Sequence, residues 1–303
     1  MGIRLPNFLI VGAAKSGTTS LYHYLEQHPE VYMSPLKEPR FITSQFVTFP
    51  FNGINAWRPE QGITKTFDEY KRLFNNVKNE KAIGEASIDN LYLYDGAIKY
   101  IKKYLGDVKI IIILRNPIER AFSQYVMFIR NLREDLAFED ALKAEEERIN
   151  NNWVFGYHYK NVSLYSNQVS EYLKNFTNVK IYLYEDLKQN TLGLIKDMYA
   201  FLGVDSSFIP NISHKYNISG VPKNKIFHNF ITKPHKFKTA IKNIMVFFMP
   251  KRKVYKLIEK VRVKNLQKIE MKPETKEYLK EFFREDVIKL QALINRDLSP
   301  WLG

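Results

Sequence analysis

The sequence predicts an α/β protein of three layers, a central parallel sheet with helices on both faces. Three observations support this. Short apolar runs recur along the chain, each is followed by a stretch of helical periodicity, and 45% of the 303 residues are apolar, enough for a sizeable core. No internal repeat or low-complexity tract interrupts the pattern. A single domain spanning residues 1–303 is expected.

The first strand is read over Asn7–Gly12, and the chain then runs through GAAKSGTTS into an amphipathic helix with Leu21, Tyr24 and Leu25 on one face. Further strands are expected at Lys81–Gly84, Val108–Leu114 and Val179–Tyr184. A Pro/Phe/Asn-rich stretch from about Thr43 to Thr66 reads as loop. One charged helix is expected around Phe138–Asn150, and a final amphipathic helix over about Pro273–Asn295.

The formal net charge is +14, from 46 Lys and Arg against 32 Asp and Glu. Between Lys223 and Lys268 lie fourteen basic residues and one acid, Glu259, so that segment holds thirteen of the fourteen net charges. Confined to one amphipathic stretch, the charge points to docking on anionic lipid or a polyanionic glycan rather than to nucleic acid. A solvated basic face on packing helices accounts for it equally well. The absence of cysteine excludes disulfides, thiolate metal sites and cysteine nucleophiles. It also fits a reducing compartment. No apolar run approaches the roughly 18–20 residues needed to cross a bilayer. The opening MGIRLPNFLIVG lacks the long apolar core of a signal peptide. A cytoplasmic location is therefore expected, with peripheral contact at the inner membrane face through the basic segment.

Strand, glycine-bounded loop and helix form the recipe for a phosphate cradle, in which loop amides and the helix N-terminus converge on an anion. The spacing Gly12-x4-Gly17 is that of the nucleoside-triphosphatase loop and marks the fold as P-loop-type. Thr18, however, stands where those enzymes need lysine, and the loop's lysine, Lys15, lies inside it. The strand VKIIIIL ends in Arg115 rather than in the Mg²⁺-holding aspartate. Fixed cations thus replace a metal, which argues against a kinase or NTPase. From Arg115 the chain reads RNPIERAFSQY, with Pro117 suited to a first helical turn and Ser123 two turns in. Arg115 and Ser123 together form a second phosphate clamp beside the first.

With these two clamps on the page, the chain resembles the sulfotransferases that use 3′-phosphoadenosine 5′-phosphosulfate (PAPS). KSGTTSL (Lys15–Leu21) looks like their 5′-phosphosulfate loop, and LRNPIERAFSQY (Leu114–Tyr125) like their 3′-phosphate motif. SPLKEPRFI (Ser34–Ile42) is similar to the segment that carries the catalytic glutamate in the heparan-sulfate and carbohydrate branch. SLYSNQVSEYLKNF, VKIYLYEDL and the terminal FFREDVIKLQALINRDLSPWL are also similar to that branch.

The resemblance implies PAPS as donor, 3′-phosphoadenosine 5′-phosphate (PAP) as product and no metal. It implies Glu38 as general base, and Lys15 with Ser16, Gly17, Thr18, Thr19 and Ser20 around the 5′ end. Arg115 and Ser123 would hold the 3′-phosphate, together with Ser219, Gly220 and Lys223 of the late loop SGVPKNK. Asp89 and Glu85 are the alternative bases. The acceptor would be a hydroxyl or amine, on a glycan or glycolipid. Two departures stand out: Arg40 occupies a position where some members have histidine, and Glu85-Ala86-Ser87 replaces the Glu-Lys-Thr or Glu-Lys-Ser of the animal heparan-sulfate enzymes. A non-catalytic polyanion- or membrane-binding module built on residues 223–268 is the alternative of a different class.

Overall fold

The computed structural model describes residues 4–56, 62–213, 220–224 and 265–303. Five parallel strands form the central sheet: β1 (Phe8–Gly12), β2 (Val31–Met33), β3 (Ala82–Ala86), β4 (Lys109–Leu114) and β5 (Val179–Leu183). Their spatial order is β2-β3-β1-β4-β5. The pairs are in register at Phe8↔Gly84, Leu9↔Ile110 and Ile112↔Ile181, among others.

Side chains that alternate along a strand go to opposite faces. Leu9, Val11, Ile110, Ile112 and Leu114 enter one core, with the Tyr94–Leu105, Pro117–Arg130, Tyr165–Asn175 and Pro273–Ile294 helices. Phe8, Ile10, Ile111 and Ile113 enter the other, with the Thr18–Leu25 and Thr191–Leu202 helices. Burial on both faces explains why β4, KIIIIL, reads as an unbroken β-branched run rather than as an alternating one.

Four strands stand within two residues of the expected bounds, whereas β2 was not anticipated. Val31–Met33 is only three residues long and carries no periodicity of its own; it is fixed by pairing with Ala82–Gly84. The expected charged helix is two short ones, Phe138–Lys143 and Glu145–Asn150, meeting at Ala144. The last helix ends one residue early, at Ile294, where Asn295 turns left-handed (φ 49°). This helix also serves the Tyr165–Asn175 helix, which has no side-chain cap of its own. Asp286 accepts from the Tyr165 and Ser166 amides (2.8 and 3.1 Å) and from the Ser166 hydroxyl (2.5 Å). A carboxylate at a helix N-terminus satisfies orphan donors and the helix dipole together.

Every loop that matters for function leaves the carboxyl edge of the sheet. The chain departs from β1 to β2 on one side and crosses to β4 on the other, so the crevice beside β1 is the topological switch point where open α/β sheets take ligands. Among the described residues, no helix is long and apolar enough to cross a membrane. Most of the basic segment 223–268 lies outside the described residues.

Candidate active site

The first site loop follows β1. Gly17 adopts φ +96°, and a Cβ there would meet Leu187 at 2.7 Å, so only glycine brings the backbone this close. Thr18 begins the next helix immediately, directing its first amides at the loop's concavity. Lys15, also left-handed (φ 68°), projects into a cleft of about 260 Å³. Its ammonium reaches the Met127 thioether at 3.4 Å, and among the described residues no carboxylate pairs with it. Burial, then the charges of Arg130, Arg115 and Arg120, lower its pKa to about 7, with Glu38 pulling weakly the other way.

The second loop follows β2. The Ser34 amide bonds the Gly84 carbonyl (2.8 Å), and the Tyr22 hydroxyl donates to the Ser34 carbonyl (2.7 Å), tying SPLKEPRF to β3 and the first helix. Beyond this anchor Glu38 (φ 59°) enters the same cleft as Lys15. Its carboxylate takes Lys37 at 2.5 Å on one oxygen and Arg40 at 2.8 Å on the other. Burial pushes this carboxyl up, but the two cations outweigh it and hold the carboxyl below its ordinary range. Glu38 is therefore ionised at neutral pH.

The alternative bases sit differently. Glu85 is fully buried at the end of β3 and accepts from Ser87 (2.8 Å); burial, reinforced by the charges of Asp89 and Glu38, raises it to about 8. Asp89 accepts from Thr43 (2.6 Å) and lies 4.0 Å from Arg40. Neither lines the cleft. Both support Arg40, whose amide is held by Ser87 (3.1 Å).

The third loop follows β4. Asn116 caps the Pro117–Arg130 helix by accepting from the Ile118 and Glu119 amides, and Pro117 presets its first turn. This fixes Arg115 at the strand end. Its guanidinium forks onto Glu119 (2.8 and 3.2 Å), stacks on Tyr184 at 4.9 Å and bonds the Lys15 carbonyl at 3.2 Å. Arg115 and Ser123 line a neighbouring groove of about 180 Å³ with Gly220 and Lys268. Gly220 and Lys268 flank a small antiparallel strand pair, β6 (Val221–Pro222) with β7 (Leu266–Gln267).

The structure thus brings Lys15, Gly17, Thr18, Thr19 and Glu38 to the cleft, and Arg115, Ser123 and Gly220 to the adjoining groove. Ser16 is fully buried beneath the loop, and Ser20 lies one step along the helix, outside the cleft lining. Lys223 is exposed just past β6 and lines neither space. Ser219 lies outside the described residues. Sequence reasoning missed the far wall of the cleft: Gln124, Phe128, Arg133, Val154, Phe155 and Gly156. Gln124 lies inside LRNPIERAFSQY without being singled out there, and no motif marks the other five, which converge only through tertiary packing.

The site thus combines a glycine-bounded loop at a helix N-terminus, an ionised carboxylate sharing a cleft with a lysine, and an adjoining groove lined by Arg115, with threonine where a Walker loop has lysine. The model of the sulfotransferase family matches residues 6–208, and the chain belongs to that family. The sulfotransferase of Alicyclobacillus acidocaldarius, a solved structure, is 34% identical, with a TM-score of 0.79 over 99% of this chain and 100% of that one. The membrane-associated sulfotransferase kil1 of Dictyostelium discoideum is 34% identical over 131 residues, 43% of this chain and 25% of its own length. Carbohydrate sulfotransferase 15 of Mus musculus is 29% identical over 153 residues, covering 41% and 27%. The chain spans about a quarter of the length of these two curated relatives.

Proposed function

We propose that the protein transfers a sulfuryl group from PAPS to a hydroxyl or amine of a glycan acceptor, by metal-independent in-line displacement with Glu38 as general base. The observation that carries this reading is the placement of Lys15 and Glu38 in one cleft while Arg115 is bonded to the Lys15 carbonyl. A donor phosphorylated at both ends of its ribose needs two such clamps. The pieces fit it: a glycine-only close approach at Gly17, a lysine with no carboxylate partner among the described residues, and a groove holding Arg115, Ser123 and Gly220.

When bound, the donor supplies an activated sulfuryl group and a phosphate leaving group. Lys15 and the amides from Ser16 to Thr19 stabilise the charge that builds on the leaving oxygen. Lys15 and Arg115 do the neutralising that Mg²⁺ does in nucleotide kinases. Glu38 accepts the proton of the attacking group, which grows acidic as its oxygen or nitrogen bonds to sulfur. Arg40 and Lys37 orient the carboxylate and keep it ionised.

The glycan acceptor follows from the relative named a carbohydrate sulfotransferase. The same reading puts the chain in the cytoplasm, with residues 223–268 meeting an anionic membrane or polymeric glycan. The cysteine-free composition and the membrane association in one relative's name support it.

The test is transfer from radiolabelled PAPS to a panel of oligosaccharides, with PAP binding measured in parallel. Glu38→Gln is expected to lower turnover by a factor on the order of 10² or more with PAP affinity nearly unchanged. Wild-type turnover in Glu38→Gln would remove Glu38 as the base.

A further inference from the structure

Most polar side chains lining the cleft are already engaged. Lys15, Thr18 and Thr19 belong to the loop after β1, and Glu38 is paired with Arg40 at 2.8 Å. The Arg133 guanidinium lies 4.2 Å from the Phe128 ring centroid, is hydrogen-bonded to Tyr157, and has Nε and Nη2 enclosed. Gln124 differs from all of these. Its residue is only 4% exposed, yet among the described residues its side chain makes no hydrogen bond. Unlike the enclosed Arg133 nitrogens, its Oε1 and Nε2 both keep accessible surface at the cleft wall.

The fold sets the amide there by two devices. Ser123 and Gln124 are consecutive on the Pro117–Arg130 helix, and one step along a helix turns a side chain by roughly 100°. Ser123 therefore faces the groove of Arg115 while Gln124 faces the cleft. Gly156 supplies the room, since a Cβ there would lie 2.4 Å from Phe128 and 3.2 Å from Gln124 Nε2. A nearly buried amide without partners is costly, so one kept at the wall of a ligand cleft has its partners on the ligand. A carboxamide offers an acceptor oxygen beside two N–H donors. A carboxylate or sulfate only accepts, and would leave Oε1 facing another oxygen. Two neighbouring hydroxyls satisfy both ends at once, because each can donate or accept. A pyranose joins such hydroxyls to an apolar C–H face, and the same wall offers Val154 and Phe155 for that face.

We propose that Gln124 holds two neighbouring hydroxyls of a sugar acceptor, one donating to Oε1 and the other accepting from Nε2, and so orients the hydroxyl or amine presented to Glu38. This rests on the sulfuryl-transfer reading above.

The test is transfer from radiolabelled PAPS to p-nitrophenyl β-D-glucoside, β-D-galactoside and β-D-glucosaminide, each compared with its monodeoxy derivatives. Deleting the attacked group abolishes transfer in any variant and so identifies itself. Deleting either hydroxyl of the held pair is expected to lower kcat/KM of the wild-type protein about tenfold. In Gln124→Met, close in volume, the intact sugar should already show that loss, and the same deletions should cost nothing more. Gln124→Asn, one methylene shorter, provides a second variant that keeps the amide and should retain part of the discrimination. Near-ultraviolet circular dichroism and a PAP titration of each variant check that the fold and the donor site persist. Deletions that cost Gln124→Met as much as the wild-type protein would overturn the proposal. So would the absence of transfer to all three sugars by a protein that binds PAP. Failure of the wild-type protein to bind PAP would instead bring down the sulfuryl-transfer reading, and this inference with it.

Discussion

In the cleft, Lys15 is half-buried, its ammonium faces a thioether, and arginines surround it. In the adjoining groove, Arg115 forks onto Glu119, whose side chain is 51% exposed, and lies on the Tyr184 ring. The two cations are joined through the Lys15 carbonyl, yet Arg115 has a counterion at hand, while among the described residues no carboxylate pairs with Lys15. The difference separates chemistry from anchoring. A desolvated, unpaired charge responds strongly when negative charge develops beside it, because little competes and nothing has to reorganise. A paired charge grips a phosphate without gaining as much during the reaction.

Removing Lys15 should therefore have the largest effect. Lys15→Ala is expected to lower turnover at saturating donor by roughly 10²–10³ and to weaken PAP as well, as measured by single-turnover transfer and calorimetry. A loss confined to donor affinity would show that Lys15 anchors like Arg115. For Arg115→Ala the balance should reverse. PAP affinity is expected to fall about 10- to 100-fold, as for loss of charge-assisted bonds, with a smaller change in turnover once donor saturates. An equal fall in turnover at saturation would erase the distinction between the two spaces.

The smallest effect concerns protons. Lys15 is lowered to about 7, chiefly by burial, so ligand-free protein loses this charge just above neutrality. An anion bound at Lys15 restores the charge, so binding takes up a proton between roughly pH 7 and 9 and PAP affinity falls as pH rises through that range. Titrations in two buffers of different ionisation heat measure the uptake, and Lys15→Gln should abolish it. The sign for folding follows from the same shift. The folded pKa lies below the unfolded value of 10.5, so the unfolded chain binds more protons across that window, and the stability of ligand-free protein gains from rising pH there.

Much of this was legible in the residues. Strands buried on both faces announce themselves as unbroken apolar runs, and a loop that must approach an anion announces itself by Gly12, Gly17 and the helix beginning at Thr18. Arg115 was legible because strand end, Asn116 cap and Pro117 are consecutive. What was not legible depends on distant parts of the chain. β2 exists because β3 offers three residues of pairing, and Val31-Tyr32-Met33 carries no signal of its own. The break at Ala144 is likewise invisible in the charged run around it. Arg133 looks like any surface arginine in RNLRED until Glu134 turns to Arg148 and Phe128 passes beneath its guanidinium. The resemblance implied Lys223 at the 3′-phosphate, whereas the β6–β7 pair leaves it exposed and sets Gly220 and Lys268 against the groove. Glu85 and Asp89 had the composition of a base, and only burial shows that they stand behind Arg40 rather than in the cleft.

The central claim is that two fixed cationic clamps, without a metal, hold a ligand phosphorylated at both ends of its ribose. Calorimetric titration of the full chain with PAP, with and without EDTA, and with ATP–Mg²⁺ in parallel, tests it most directly. The account predicts tight PAP binding that EDTA leaves unchanged, that collapses in Arg115→Ala, and that ATP–Mg²⁺ does not match. Absence of PAP binding, or preference for ATP–Mg²⁺, would contradict it.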